Sequence, residues 1–196
     1  MKLKISKSSI ILGIAIVAMI AGFLLLLQLN AMESTENEED LRFELVNGFW
    51  QTQISRGSQE YILQFRYLPS EVKEVSLEGD VDERFQNQEV YITIDPSEER
   101  NANLSQMAIA AIELSRKLTD PFYREVVAAC TRNETETCSE KPIVTCENKN
   151  LSVIYLKNDP EAKVIASENC VTIQGQGEGI VKAATRALYQ WLGIMG

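Results

Sequence analysis

The chain has 196 residues, of which 19 are basic and 28 acidic, with no histidine and a net charge of −9. A surface of that sign repels nucleic acid and anionic headgroups. Without histidine, neither a Ser-His-Asp nor a Cys-His catalytic device can be assembled.

The N-terminus reads "MKLKISKSSIILGIAIVAMIAGFLLLLQLN", with an unbroken apolar run over residues 10–27. As a helix this run covers roughly 27 Å, close to the ~30 Å of a bilayer's hydrocarbon core. Ser8, Ser9, Gln28 and Leu29 can complete the span. Lys2, Lys4 and Lys7 precede it, and the next basic residue is Arg42. The positive-inside bias therefore predicts a cytoplasmic N-terminus and an extracellular remainder. A cleaved secretory signal would have a shorter apolar core, about 7–15 residues, and a better small-residue site than the "LNA" ending at Ala31. The expected organisation is a cytoplasmic tip and signal-anchor helix over 1–30, with 10–29 in the lipid bilayer. An acidic flexible tether over 31–40 ("AMESTENEED") follows. Last comes an exported ectodomain over 41–196. Beyond the leader, 16 of the 19 basic residues face all 28 acidic ones. A domain of that length buries a core without help from a metal, and no cofactor or metal is expected.

Along the ectodomain, Leu41, Phe43 and Leu45 alternate with Arg42 and Glu44, and Asn47-Gly48 is a strong hairpin signal. "YILQFRYLP" reads as a third strand, stopped by Pro69. A short strand around Val75 to Leu77 would complete an antiparallel meander. "EVYITID" is a β-branched strand ended by Pro96. A helix follows in "NANLSQMAIAAIELSRKL", with Asn101 as N-cap and Leu104, Met107, Ala108, Ala111, Ile112 and Leu118 on its apolar face. Arg116 and Lys117 suit its C-terminal dipole. "REVVAAC", "PIVTC", "LSVIYL" and "NCVTIQG" are short apolar runs. The closing helix carries a stripe of Ile180, Ala184, Ala187, Leu188 and Trp191. Gly193 and Ile194 are placed for a Schellman stop. The fold class is α/β, with α+β as the variant: a mixed sheet with two covering helices and an N-terminal antiparallel hairpin. The hairpin either extends that sheet or forms its own subdomain.

Cys130, Cys138, Cys146 and Cys170 form an even set on the predicted outer side, where disulfides persist. Their spacing matches no C-x2-C zinc pattern and no redox C-x-x-C. Two structural disulfides are expected. Of three pairings, the geometry favours Cys130–Cys138 around the polar loop "TRNETET" and Cys146–Cys170 joining two strands. Asn103, Asn133 and Asn150 head Asn-x-Ser/Thr sequons and are candidate glycan acceptors. Asn133 lies inside the first proposed loop.

Three further stretches invite a functional reading. "IQGQGEGI" places Gly175, Gly177 and Gly179 at a strand-to-helix junction, where backbone N–H groups can cradle phosphate. Its spacing departs from G-x-G-x-x-G, and Glu178 opposes an anion, so a tight turn is the better reading. Asp95, at a strand end, and Asp120, which with Arg124 flanks "DPFYRE", are the candidate acid–base carboxylates. Both also sit before proline, where Asp makes ordinary turns. Tyr61, Phe65 and Tyr67 could form a stacking platform; a core row is the simpler account.

The segments "VYITIDP", "AIAAIELSRKL", "VVAACTRNETETC", "KPIVTCENKNLSVIYLK" and "NCVTIQGQGEGIVKAATRALYQWLGIM" resemble a group of uncharacterised single-span archaeal proteins. The resemblance covers roughly residues 49–195 and includes the cysteine pattern, but implies no activity. The expected role is that of a membrane-anchored extracytoplasmic domain, more a binding or structural protein of the cell envelope than an enzyme. Its partner would be an unknown envelope protein or glycan. The alternatives are an Asp-based envelope hydrolase or transferase, and an accessory subunit of a membrane complex.

Overall fold

The structure is a computed structural model describing residues 16–22, 35–38, 41–97 and 104–196. The chain divides into two compact units, Met1–Thr35 and Glu36–Gly196. In the first, residues 16–22 form a helix (α1) with exposed side chains. Most of the expected span over 10–29 lies outside the described residues. Among those residues, no helix is long and apolar enough to cross a membrane. Within the stretch read as a tether, Thr35–Glu38 is a strand, β1; the other residues of 31–40 lie outside the description.

The second unit holds two sheets. The smaller has the order β1-β2-β3-β4, with β2 at Leu41–Val46, β3 at Phe49–Arg56 and β4 at Gln59–Phe65. Asn47 and Gly48 take φ of 52° and 80°, the positive values that a type I′ hairpin turn requires at both central residues. A second two-residue turn at Gly57 and Ser58, with φ of 62° at the glycine, joins β3 to β4. The larger sheet has the order β5-β9-β10-β8-β6-β7. Its strands are β5 (Ser76–Glu78), β6 (Glu89–Ile94), β7 (Glu125–Cys130), β8 (Ser152–Asn158), β9 (Lys163–Ser167) and β10 (Cys170–Gly175). The neighbours β7, β6, β8 and β10 run parallel, while β9 turns back antiparallel to β10.

Besides the short α2 (Pro69–Val72), two helices matter: α3 (Leu104–Thr119) links β6 to β7, and α4 (Glu178–Trp191) follows β10. Both lie between the sheets. Val90, Ile92, Ile154, Leu156, Val171 and Ile173 of the large sheet share one core with Met107, Leu114, Ile180 and Leu188, and with Phe43, Leu63 and Phe65 of the small sheet. Tyr189 of α4 packs on Phe43 and Phe65, and its hydroxyl donates to the Tyr67 carbonyl at 2.6 Å. Sandwiched this way, α4 is buried almost all round, including Ala183, Thr185 and Arg186, which an outward face would expose. It ends as expected: Gly193 has φ of 71°, its N–H donates to the Gln190 carbonyl, and the Ile194 N–H donates to the Tyr189 carbonyl. That pair of bonds is the Schellman motif.

Four expectations are corrected. First, β5 belongs to the large sheet, parallel to β9, and not to the antiparallel meander. Second, "PIVTC" is coil: Pro142 has no N–H to give a ladder, and an isolated bridge from Ile143 to Cys130 is its strand-like contact. Third, β9 ("KVIAS") was not predicted. Fourth, α3 buries Met107, Ala110, Glu113, Leu114, Lys117 and Leu118, whereas Ala108 and Ile112 face out. The Asn101 cap lies outside the described residues.

The outer face of the large sheet has a lid of coil rather than helices. Val153, Ala129 and Cys170 pack there with Val144. Thr93 donates its hydroxyl to the Val144 carbonyl at 2.8 Å, and the buried Asn169 amide donates to the Asn148 and Leu151 carbonyls at 3.2 and 2.9 Å.

Candidate functional site

Two disulfides fasten that lid. Cys130, the last residue of β7, pairs with Cys138 in a short 3-10 turn, Cα–Cα 5.9 Å. Cys146 pairs with Cys170, the first residue of β10, Cα–Cα 5.3 Å. The pairing is the one favoured from sequence, with one difference: Cys146 sits in coil, so the second bridge ties a loop to a strand. No described cysteine is free.

Asp95 follows β6 and is 9% exposed. One carboxylate oxygen accepts from the Ser97 N–H at 2.9 Å and the Ser97 hydroxyl at 2.7 Å, and the other from Arg132 Nη2 at 2.7 Å. Burial by itself would raise its pKa, but the Ser97 hydrogen bonds and the Arg132 charge hold the carboxyl below the usual range. Arg132 lies in the loop closed by Cys130–Cys138, so this carboxylate works as a clasp between the β6 turn and the stapled loop. A carboxylate held ionised by three donors is a poor general base. Replacing it, Asp95→Asn, is expected to cost about 2 kcal/mol, the worth of hydrogen bonds to a charged group. Because the folded-state pKa is depressed, this contribution is present above the unfolded value and fades as pH falls through the folded one. Urea titrations of both proteins should therefore differ near neutrality and converge in strong acid.

Asp120 is exposed and lies elsewhere. Strands β6 and β7 are parallel, so α3 carries the chain from the carboxyl end of the sheet back to its amino end. Asp95 follows β6, whereas Asp120 precedes β7; the structure does not bring the two together. Arg124 does not reach for Asp120 either: its guanidinium stacks on Phe85 at 5.0 Å, and Nε donates to the Asn87 carbonyl at 3.0 Å. Burial pushes its pKa down to about 10.

The glycine-rich junction is a tight turn. A side chain on Gly175 would meet backbone atoms of Gly179 and Ile180 at 2.6 and 2.4 Å. Close approach of α4 to β10 therefore accounts for this glycine.

Of the aromatic row, Phe65 is core, while Tyr61 and Tyr67 pack partly buried against it. The Tyr61 hydroxyl bonds to the Tyr123 hydroxyl and to the side-chain amide oxygen of Gln59, which accepts, and the bond with Tyr123 is the main reason its pKa is pushed up to about 12.

Asn133 is exposed inside the stapled loop. Asn150 is exposed too, but the Ser152 hydroxyl of its sequon is buried and donates to the Arg84 carbonyl at 2.9 Å. Asn103 lies outside the described residues.

Sequence reasoning missed an ion cluster on α3. Glu113 and Lys117, one helical turn apart, pair with each other while buried. Arg66 Nε adds a contact to Glu113 at 3.4 Å, and Lys117 Nζ lies 4.8 Å from the centre of the Phe65 ring. Burial lowers the Lys117 pKa against the opposing pull of Glu113. The i,i+4 spacing was legible, but nothing in it says the pair faces inward.

Two grooves flank α3. One, about 620 Å³, runs along β4 and is lined by Ile62, Gln64, Arg116, Lys117, Thr119 and Asp120 among others. The other, about 320 Å³ and mostly apolar, lies over β6 and β7 against Met107, Ala108 and Ala111. Among the described residues, no cluster of three or more His, Cys, Asp or Glu side chains is placed to hold a metal.

These features define a disulfide-stapled α/β domain with two helices layered between a small and a large sheet. No known protein family, curated protein or solved structure matches the chain.

Proposed function

We propose that this chain is a membrane-tethered extracytoplasmic domain that binds an envelope protein or glycan rather than catalysing a reaction. The observation that carries the reading is the pairing of all four cysteines in two disulfides, bonds that persist in oxidising compartments. The leader supports it: lysines, then an apolar run long enough to span with residues 10–29. Asn133 is exposed for a glycan. A binding role accords with the state of the two candidate carboxylates, one clasped by Arg132 and the other at the far end of the sheet. It accords as well with the grooves beside α3.

Topology is the first thing to test. In intact cells, external protease should remove a C-terminal tag, and the cysteines should resist alkylation until reductant is added. A tag protected from protease, with four thiols that alkylate directly, would overturn the reading.

A further inference from the structure

Strand β4 ends the small sheet, and its free edge is unusually open. The two-residue turn sets Arg56 opposite Gln59, and the register runs unbroken through Gln53↔Ile62 to Trp50↔Phe65. Hydrogen-bonded and non-bonded pairs alternate outward from such a turn. The N–H and C=O groups of Glu60, Ile62 and Gln64 therefore point away from β3. Among the described residues, no backbone hydrogen bond meets them.

Sheet edges are normally protected by lysine, proline, a bulge or a covering loop. The sequence "QEYILQF" has none of the first three, and a groove rather than a covering strand lies beside it. At its centre, Ile62 is 71% exposed, the most exposed large apolar side chain described in this unit.

We propose that β4 pairs antiparallel with β4 of a second copy of this chain, about a two-fold axis at Ile62. In this register Ile62 faces Ile62, and Glu60 faces Gln64 in both directions, so every outward-pointing group of the three residues is used. Shifting the register by one step of the two-fold axis either way would set Ile62 against Glu60 or Gln64 and leave an outer pair unmatched. Charge agrees with the choice. The chain is strongly acidic, but β4 and its groove balance Arg116 and Lys117 against Glu60 and Asp120, so two copies meet there without the repulsion of the overall charge. The second copy's Glu60, lying opposite Gln64, meets a groove wall that includes Arg116. The pairing would merge two small sheets into one, and it does not depend on which side of a membrane the domain lies.

The test uses the full chain in detergent, with mass followed by sedimentation over a concentration series. Wild type should form dimers. Ile62→Lys, on an exposed position that leaves the fold's melting point unchanged, should weaken association by more than about tenfold. Because leader helices can also associate, a second variant fixes the register. Residues in a hydrogen-bonded antiparallel pair have Cα atoms about 5.5 Å apart, within disulfide reach. Ile62→Cys should therefore link two chains on mild oxidation, whereas Glu60→Cys should not link to itself. A wild-type monomer would overturn the proposal and leave the edge to a foreign extended segment. So would a dimer that is indifferent to Ile62→Lys and gives no Ile62→Cys crosslink.

Discussion

Reducing both disulfides is expected to remove about 6 kcal/mol of stability. In the loop-closure account, the short loop closed by Cys130–Cys138 contributes about 2.5 kcal/mol and the longer one closed by Cys146–Cys170 about 3.5. The loops do not overlap, so the two contributions add. A domain's whole stability is of order 5–15 kcal/mol, so reduction should bring this one close to its unfolding threshold. For a domain of this size the melting point should fall by roughly 12–24 °C. The loss should begin in the lid over the large sheet's outer face. Among the described residues, that face buries Ala129, Val144, Val153 and Cys170, with Tyr91, Leu151 and Tyr155 packed partly buried against them, a far smaller cluster than the core around α4. The lid's other fastenings include side-chain hydrogen bonds from Thr93 and Asn169 and the backbone bonds that Cys130 makes with Pro142 and Val144. Paired alanine substitutions should rank in the order of loop length, with Cys146/Cys170 the more damaging. The two kinds of fastening should also be coupled: Arg132 reaches Asp95 from the stapled loop, so Asp95→Asn should cost less once Cys130 and Cys138 are gone. A melting point unmoved by reductant would contradict the whole account, and strict additivity of Asp95→Asn with the bridge deletion would contradict the coupling.

How much of this was legible in the sequence follows from the range of the interactions involved. The Asn47-Gly48 hairpin and the Gly193 helix stop were readable because each depends on a backbone conformation of one or two residues. The cysteine pairs were readable because polar and apolar runs frame them. The face of α3 was not. Counting apolar residues put Ala108 and Ile112 inward, whereas Glu113 and Lys117 occupy that position. Each neutralises the other there, and the ring of Phe65, from a distant strand, completes the site. Nor could the small sheet's place be read: a strand facing a helix layer and one extending a sheet have the same alternation. β9 escaped notice because "KVIAS" is a run of five residues with no alternation of apolar and polar positions, and it owes its strand form to pairing on both sides, with β5 and β10. Among the site residues, Asp95 was singled out by its position at a strand end, but its partner Arg132 lies 37 residues on and depends on the staple.

The glycine-rich junction offers the second large effect, because neighbouring glycines there should respond in opposite ways. Gly175→Ala is expected to destabilise by about 3 kcal/mol, at the upper end of ordinary overpacking. Its added carbon would lie 2.4 Å from the Ile180 nitrogen and 2.6 Å from the Gly179 carbonyl carbon. Both are backbone atoms in the first turn of α4, so no side chain can swing aside; relief requires moving the helix. That helix touches both sheets, so a shift at its start spreads into the central core. Gly179→Ala meets one atom, the Ala162 side chain, at 3.3 Å. Ala162 sits at a partly exposed bend before β9 and can yield by a few tenths of an ångström. Alanine also favours the helix by up to about 1 kcal/mol over glycine, so this variant should stay within about 0.5 kcal/mol of wild type. Urea unfolding at constant m measures both. The contrast also tells a turn from an anion cradle. A cradle needs glycine wherever backbone N–H groups approach a ligand, and Gly179, in the helix's first turn, would then be as intolerant as Gly175 in any binding assay while remaining stable. Equal stability losses at the two positions would refute the steric argument, since the space around them differs by almost an ångström.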